Sequence, residues 1–473
     1  MPSNWRKKDT IGLNKKSTTN QQQPMSSLAQ YIDLYDNNRD TIFSNSAPLL
    51  NVMRDQAAKI VKGAKSLPTK STEGYEKTSI EDMFAPDMGI NINRVPIPID
   101  VASTFRCDIP NMSTLMAFIL NDTFAHGKLL QDKLPKGVIV DSLAHAAVVH
   151  KALVEQYYGR IAPVTDAGVA LNTMLVQDGV FIYIPRGMVM ERPLQLVNIF
   201  SSPTDLLAFR RLLIIVEDEA KAQLLVCDHT QHHDKSFLSS RVIEISLGNG
   251  ASFELLDIEE SSPMTSRHSQ LFANQQEGSQ LRINGVTLIG GNTRNNYDIN
   301  LLGRNCETTL AGMAIGSASQ HTDNSSNVRH YAPCCHSNQL FKYVLDDQST
   351  GAFEGSIVVS PKAQFTEAYQ SNRNMLASTN ARMHTKPQLE IYCDDVKCSH
   401  GATTGQLDND ALFYMRSRGI SEQEARLMLM QAFMSDVIDT VTMEGMRDRL
   451  RHLVEKRFYG KTTLCSDCSA SCH

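Results

Sequence analysis

The sequence predicts a mainly β protein with a helical segment at each end, and three observations carry that reading. Between about residues 98 and 390, short β-rich runs alternate with turn residues, as in Gly179-Val180-Phe181-Ile182-Tyr183-Ile184-Pro185 and Arg211-Leu212-Leu213-Ile214-Ile215-Val216. Ahead of that region, apolar residues recur at helical spacing and stop at Gly63. Behind it, Leu427, Met430, Met434, Val437, Ile438 and Val441 recur in the same way.

Taken in order, residues 1–25 are polar and rich in Lys, Asn, Gln and Thr, and read as a disordered leader with Met25 as a candidate start. Residues 26–97 read as a small helical domain. Its first periodic segment is Ser26–Ile42, and Ala47-Pro48-Leu49-Leu50 opens a second that Gly63 closes as an αL cap. Pro68, Gly74, Pro86 and Gly89 then break the pattern. Residues 98–407 form the β core, with one helical interruption expected over Asp141–Tyr158.

Within the core, Glu217-Asp218-Glu219-Ala220 aligns with Gly248-Asn249-Gly250-Ala251, each a polar turn with a small residue leading into a strand. Gly303-Arg304-Asn305-Cys306 and Ser360-Pro361-Lys362-Ala363 read as further copies. Such a repeat suits stacked coils, in which side chains of successive rungs pile up inside. Many short strands also suit an antiparallel sandwich, and strand texture alone favours the sandwich slightly.

Residues 408–460 read as a C-terminal helical domain. Asp408 caps a helix that closes at Gly419, Ser421 and Glu424 have the spacing of a capping box, and Met446, Leu450, Leu453 and Val454 mark a last helix ending at Gly460. These Met-rich runs present more apolar area than a small bundle buries, which marks a docking surface and leads us to expect that the β core folds without residues 409–473. Residues 461–473 read as a flexible Cys-containing tail.

Hydrophobic residues at 41% supply a sizeable core, and a net charge of −5 gives no basic footprint for nucleic acid. No apolar run reaches the ~18 residues of a membrane span. The first 25 residues lack the apolar segment of a secretory signal, so ten sparse cysteines are expected as reduced thiols in the cytoplasm.

Several clusters of soft ligands invite a metal reading. Cys465, Cys468, Cys472 and His473 have partial zinc-site spacing, but a Ser-rich terminus without a core reads as an exposed, redox-labile tail. Cys334 and Cys335 are adjacent and expected on opposite faces of a strand, and His232-His233-Asp234 reads as a surface loop. Cys398 and His400 lie two apart, so on an extended chain they project to one side. Thiolate and imidazole suit iron, yet two ligands do not complete a site, and spacing alone favours a packed cysteine and a hydrogen-bonded histidine. No phosphate loop, nucleophile elbow or H-E-x-x-H is present, so any ATP must be bound by a partner.

The stretch Lys386–Tyr392 through Asp394-Asp395-Val396-Lys397-Cys398-Ser399-His400-Gly401-Ala402-Thr403 closely resembles the signature of SufD proteins, within the SufB/SufD family. Gly405–Asp408, Ala411–Ile420, Leu171-Asn172-Thr173 and Gln177–Pro185 resemble the family too. So do His321, Asp323, His330, Pro333, Cys335, Ser337, Lys342 and Gly351-x-Phe353-x-Gly355. The resemblance covers roughly residues 130–457; the leader and Cys tail match no part of it. It implies a right-handed parallel β-helix core between N-terminal and C-terminal helical segments, in place of a sandwich. It further implies a non-catalytic scaffold for iron–sulfur cluster assembly. The chain would form a heterodimer with a SufB-like subunit and bind a SufC-like ATPase through its C-terminal helices; a homodimer is an option in isolation. His400 would face the partner at the assembly site, with Cys398 a lesser contributor. Iron or a nascent cluster would be transient at that interface, with none tightly bound to the isolated chain. A SufB-like paralogue and a β-helix enzyme acting on polysaccharide are the alternatives, and the Lys-Cys-Ser-His-Gly-Ala-Thr run argues against the first.

Overall fold

A computed structural model describes residues 26–95, 114–125, 130, 132–231 and 234–459; the leader, His232, His233 and the cysteine tail lie outside the described residues. The β region is a solenoid of about 8 turns, not a sandwich. Among the described residues one sheet has ten strands and the other nine. The ten-stranded sheet begins with β1 (Leu115–Leu120), β2 (Thr123–Ala125) and β5 (Leu194–Phe200). It continues through β7 (Lys221–Thr230), β9 (Ser252–Glu260), β11 (Gln280–Ile289), β13 (Glu307–Gly316), β15 (His336–Leu345), β17 (Glu367–Leu376) and β19 (Lys397–Gln406). The nine-stranded sheet holds β3 (Ile139–Ser142), β4 (Val180–Ile184), β6 (Leu206–Val216), β8 (Phe237–Leu247), β10 (Thr265–Gln275), β12 (Asn292–Leu301), β14 (His321–His330), β16 (Thr350–Val359) and β18 (Arg382–Ile391). The chain alternates between sheets, so the strand of one sheet serves as the crossover that a parallel pair in the other requires.

The sequence repeat is the turn that starts each rung. Glu219, Gly250, Gly278, Asn305, Cys334 and Phe365 all adopt positive φ, between 55° and 63° for all but Gly278 at 67°. Each donates its backbone N–H to the next rung's turn: Glu219 to Asn249 O, Gly250 to Glu277 O, Gly278 to Arg304 O, Asn305 to Pro333 O, Cys334 to Gln364 O and Phe365 to Asp395 O. The residue that follows turns inward, which stacks Ala220, Ala251, Ser279, Cys306, Cys335 and Thr366 in a buried column. The first three readings of the repeat hold. Ser360-Pro361-Lys362-Ala363 is out of phase, because the equivalent turn is Gln364-Phe365-Thr366.

Inside the solenoid, the central rungs put apolar residues toward one end of their strands and polar ones toward the other. Leu212, Ile214, Ile243, Ile245, Leu224, Leu255, Ile283 and Leu310 belong to one buried cluster. On the polar side three fully buried arginines, Arg210, Arg241 and Arg267, meet Asp228, Asp257 and Glu259. Arg267 reaches Asp228 at 3.0 Å, and Arg241 reaches Asp257. Burial alone would raise the Asp228 carboxyl, but Arg241, Arg267 and Arg210 overturn that and hold it well below the usual carboxylate range.

Helices cover each sheet from outside. α1 (Leu28–Ser44), α2 (Pro48–Gly63) and α3 (Ile80–Phe84), with α4 (Leu143–Val149), α5 (Lys151–Tyr157) and α6 (Ala167–Leu175), bury Leu207, Phe209, Leu238, Phe181 and Leu213 of the nine-stranded sheet. The expected helix over Asp141–Tyr158 is therefore corrected: Asp141 and Ser142 belong to β3, and His150 divides the remainder into two. α6 has no counterpart among the sequence expectations, because it is buried on every side and shows no amphipathic period.

The C-terminal helices α7 (Asn409–Ser417), α8 (Glu422–Ile438) and α9 (Glu444–Phe458) follow the expected order, and the first two begin under the expected caps, with Asp408 accepting from Ala411 N and Ser421 from Glu424 N. Their apolar surplus is not free. Met434, Val437, Met446 and Leu450 share a buried cluster with Leu225, Leu256, Val286 and Met313 on the outer face of the ten-stranded sheet. Lys342, itself buried, pins α8 by donating to Phe433 O at 2.8 Å and pairing with Asp436 at 2.5 Å. Removing residues 409–473 would thus expose that apolar sheet face, which weighs against the expectation that the core tolerates the deletion.

Two outcomes follow for stability. Glu244, fully buried, accepts from Gly159 N, Ile161 N and Ala162 N and pairs with buried Arg211 at 2.5 Å. Glu244→Ala strands that guanidinium and is expected to cost about 3–5 kcal/mol, read from the urea midpoint. Burial lowers His268 and His330 to about 4, so both stay neutral in the folded chain while the unfolded chain takes up protons below its ordinary value of about 6.5. Stability should therefore fall as pH drops from about 6.5 to about 4, and His330→Gln should flatten part of that slope in urea titrations.

Candidate functional site

The last rung is built differently from the rest. β18 and β19 are each ten residues long, each lies at the edge of its sheet, and nearly every residue of both is exposed or half-exposed. At the opposite end the sheets finish in β2 and β3, three and four residues long and antiparallel to their neighbours. The N-terminal segment touches the last rung at Glu76, 3.8 Å from Lys386, and the outer row is otherwise exposed or half-exposed. β19 is held to β17 in register, by Lys397–Glu367 at 2.8 Å and by Asn374 donating to Thr403 O at 3.1 Å. β18 is held to β16 by Lys386–Glu354 at 2.9 Å. Gly401 and Gly405 of β19 have open space where a side chain would stand. The result is a long, flat, polar double edge whose main-chain groups on one side have no strand among the described residues to pair with.

His400 and Cys398 lie on β19, in the row that continues the solenoid interior. Cys398 is opposite Ala368 and His400 opposite Gln370, and both partners are buried on the inward side of β17. The two residues part company there. Cys398 is half-buried against the small cluster of Ile357, Val359, Ala363 and Ala368, and burial raises its thiol. His400 is exposed, because nothing among the described residues lies below the last rung to cover it. Among the described residues no group of three or more His, Cys, Asp and Glu side chains is arranged to hold a metal ion. His400 with Cys398 can therefore act only as a partial ligand set.

The other soft-ligand clusters resolve into structure. Cys335 is buried and Cys334 half-exposed, as expected, but the cause is the turn at Cys334, with φ of 59°, and not strand alternation. The interaction between the Cys306 and Cys335 side chains on adjacent rungs lowers Cys306 to about 7 and raises Cys335. Cys306, Cys334, Cys335, Cys393 and Cys398 are free thiols. His232 and His233, and Cys465, Cys468, Cys472 and His473, lie outside the described residues.

His321 and Asp323 fasten the N-terminal segment. Thr78 bonds both, at 2.8 and 2.5 Å, and Arg294 pairs with Asp323 at 2.6 Å while donating to Gly74 O. This strap borders a cleft of about 610 Å³ that runs to Met383, His384 and Lys386 of β18. His330 bonds Ser337 at 2.9 Å inside the solenoid. These residues are anchors. Gln370 carries no mark in the sequence, and the one signal pointing to it is Gly355 across the interior, where a Cβ would collide with the Gln370 amide nitrogen.

On the far side of the C-terminal helices, Phe413, Tyr414 and Met428 are 73%, 58% and 44% exposed. They are what remains of the apolar surplus once α8 and α9 are seated on the sheet. No helix among the described residues is long and apolar enough to cross a membrane.

The raised Cys398 thiol gives a direct check. At pH 7, alkylation of Cys398 by iodoacetamide, followed by peptide mass spectrometry, should be slower than that of free cysteine and should accelerate only above the ordinary thiol range of about 8.5.

The chain matches two family models: the SufBD core domain of the SUF system for FeS cluster assembly over residues 199–433, and the SufBD protein N-terminal region over residues 25–196. It is 27% identical to an iron–sulfur cluster assembly SufBD family protein of Synechocystis over 416 residues, which is 86% of this chain and 91% of that one. It is 28% identical to the iron–sulfur cluster assembly protein SufD of Escherichia coli over 295 residues, 61% of this chain and 69% of that one. With SufD of Bacillus subtilis it shares 26% over 353 residues, 74% of this chain and 80% of its relative.

Proposed function

This chain belongs to the SufBD family of iron–sulfur cluster assembly proteins, and from that premise we propose that it is the SufD-type scaffold subunit, with His400 at the assembly interface. One observation carries the reading. The solenoid ends in two long, in-register, polar strands, each at the edge of its sheet and exposed or half-exposed along its length, and His400 stands exposed on one of them. Unpaired strand edges of that length are templates for another chain's strands. A related SufB-like solenoid offering the same kind of edge would extend both sheets and bring its own side chains opposite His400.

At that junction the nascent cluster is cargo, not a resident cofactor. A neutral imidazole can ligate iron through one ring nitrogen and release it under mild change, which suits transient holding. Cys398, kept protonated by burial, contributes less. The remaining donors come from the partner. The chain itself is non-catalytic in this scheme. ATP hydrolysis falls to a SufC-like partner docked on the exposed face of α7 and α8, around Phe413, Tyr414 and Met428. The free thiols of the solenoid fit a reducing compartment, the cytoplasm.

His400→Ala should leave the fold and the partner complex intact and sharply lower the visible absorbance of clusters reconstituted on the co-purified complex. Cys398→Ser should lower it less. Equal cluster yield from wild type and His400→Ala would remove His400 from the mechanism. Independently, Phe413→Glu with Tyr414→Glu should abolish co-purification of the ATPase without lowering the thermal midpoint, since both side chains are solvent-facing in the isolated chain. Retained ATPase binding would move the docking face elsewhere.

A further inference from the structure

His400 is the last member of a column. In register, Gln339 of β15 stands over Gln370 of β17, which stands over His400 of β19. Gln339 and Gln370 are both buried and point into the solenoid. Ser326 donates to Oε1 of Gln339 at 2.6 Å, and Nε2 of Gln370 donates to the same oxygen at 3.3 Å. That bond turns the amide nitrogen of Gln370 back toward β15. Because the two polar atoms of an amide lie on opposite sides of its axis, Oε1 is left for a different donor. It is buried and has no hydrogen-bond partner among the described residues. The side chain has little room to turn otherwise, since its amide already fills the space that a Cβ at Gly355 would take across the interior.

A buried, unpartnered carbonyl oxygen is costly unless a donor reaches it. Adjacent strands lie about 4.8 Å apart, so the donor one position along the column is within reach of a side chain. That position is His400. We propose that Gln370 positions His400: its Oε1 accepts the N–H of the ring nitrogen facing the solenoid, and the other ring nitrogen then presents its lone pair outward. The bond fixes both the tautomer and the orientation of the ring before any partner arrives. Histidines that ligate metals depend on such a partner behind the ring, and losing it commonly weakens the site by about 10–100-fold. Gln370 is in this sense a positioning residue; it does not touch the cargo. The inference rests on the functional reading of His400 only for its consequence, and not for the hydrogen bond itself.

The test is a long-range 1H–15N spectrum of the full chain labelled with 15N-histidine, at about pH 8.5, above the ordinary imidazole range. The His400 signals are identified by their loss in His400→Ala. The wild-type ring is expected as one neutral tautomer. Gln370→Leu should shift it to the mixture of tautomers of a free imidazole, and Gln370→Glu, which keeps an acceptor oxygen, should hold it as one. In the co-purified complex Gln370→Leu should lower cluster yield about 10-fold or more, with Gln370→Glu recovering most of it. Identical ring shifts in wild type and Gln370→Leu would overturn the proposal. So would a wild-type ring that already samples both tautomers, a result that decides the matter even where Gln370→Leu does not fold. If His400→Ala leaves cluster yield unchanged while the tautomer responds to Gln370, the functional reading fails and the positioning bond stands.

Discussion

Everything in this molecule depends on in-register stacking of parallel strands. Each rung buries its inward row by lying on the row before it and supplies the hydrogen bonds the next rung needs. Such stacking has no internal stopping point, because every rung presents the edge on which another can form. The chain begins its sheets with β2 and β3, too short and of the wrong direction to propagate, and shields its outer faces with two helical segments. At β18 and β19 the strands stay long and parallel to their neighbours, and most of their outer row stays open. The open end is therefore a property of its long, unpaired edges, and it is also where His400 lies.

Stacking also explains why the interior tolerates charge. A column position repeats in every rung, so an arginine placed inward finds carboxylates and amides above, below and across from it. Arg241 and Arg267 share Asp228 and Asp257 in this way, and Arg267 adds Asn295 at 3.0 Å. A buried ion pair gives little net stability over an apolar equivalent, while breaking one is expensive. The polar half of the interior thus acts mainly to fix register. A slip by one residue would turn Arg210, Arg241 and Arg267 outward and leave their carboxylates buried alone.

Much of this is legible in the sequence and some is not. The turn repeat shows at Glu217–Ala220, Gly248–Ala251 and Gly303–Cys306, since a small residue after a left-handed turn is visible in the letters. The copies at Gly278-Ser279 and Cys334-Cys335 escape because the left-handed position accepts such different residues. Strand texture cannot separate solenoid from sandwich, as both need half-buried strands of similar length; pairing order decides it, and order is a long-range property. α6 is invisible for want of a polar face. In the C-terminal segment the helical period is plain, yet period alone does not say whether an apolar face meets a partner protein or the chain's own sheet. Cys398 and His400 read as neighbours on one side, and they are. What separates them is that one reaches the cluster around Ile357 and Val359 and the other reaches past it, which depends on a neighbouring strand some 30 residues away.

The chemistry of the open end bears on what can dock there. An apolar edge of ten residues would pair with any strand available, including its own copies, and drive aggregation. Here the two edge strands carry Lys397, Ser399, Thr403 and Thr404 on one side and Arg382, His384, Lys386 and Glu390 on the other, with Pro387 withholding a main-chain donor. Main-chain pairing remains available along most of each strand, while indiscriminate apolar contact does not. Recognition must then come from side chains that complement this polar pattern, and the bond strength must come from the ladder. An interface of that kind can be specific and still open under mechanical load from elsewhere in an assembly. A histidine held on its rim by groups behind it would keep its aim through such an opening, since the column that positions it belongs wholly to this chain.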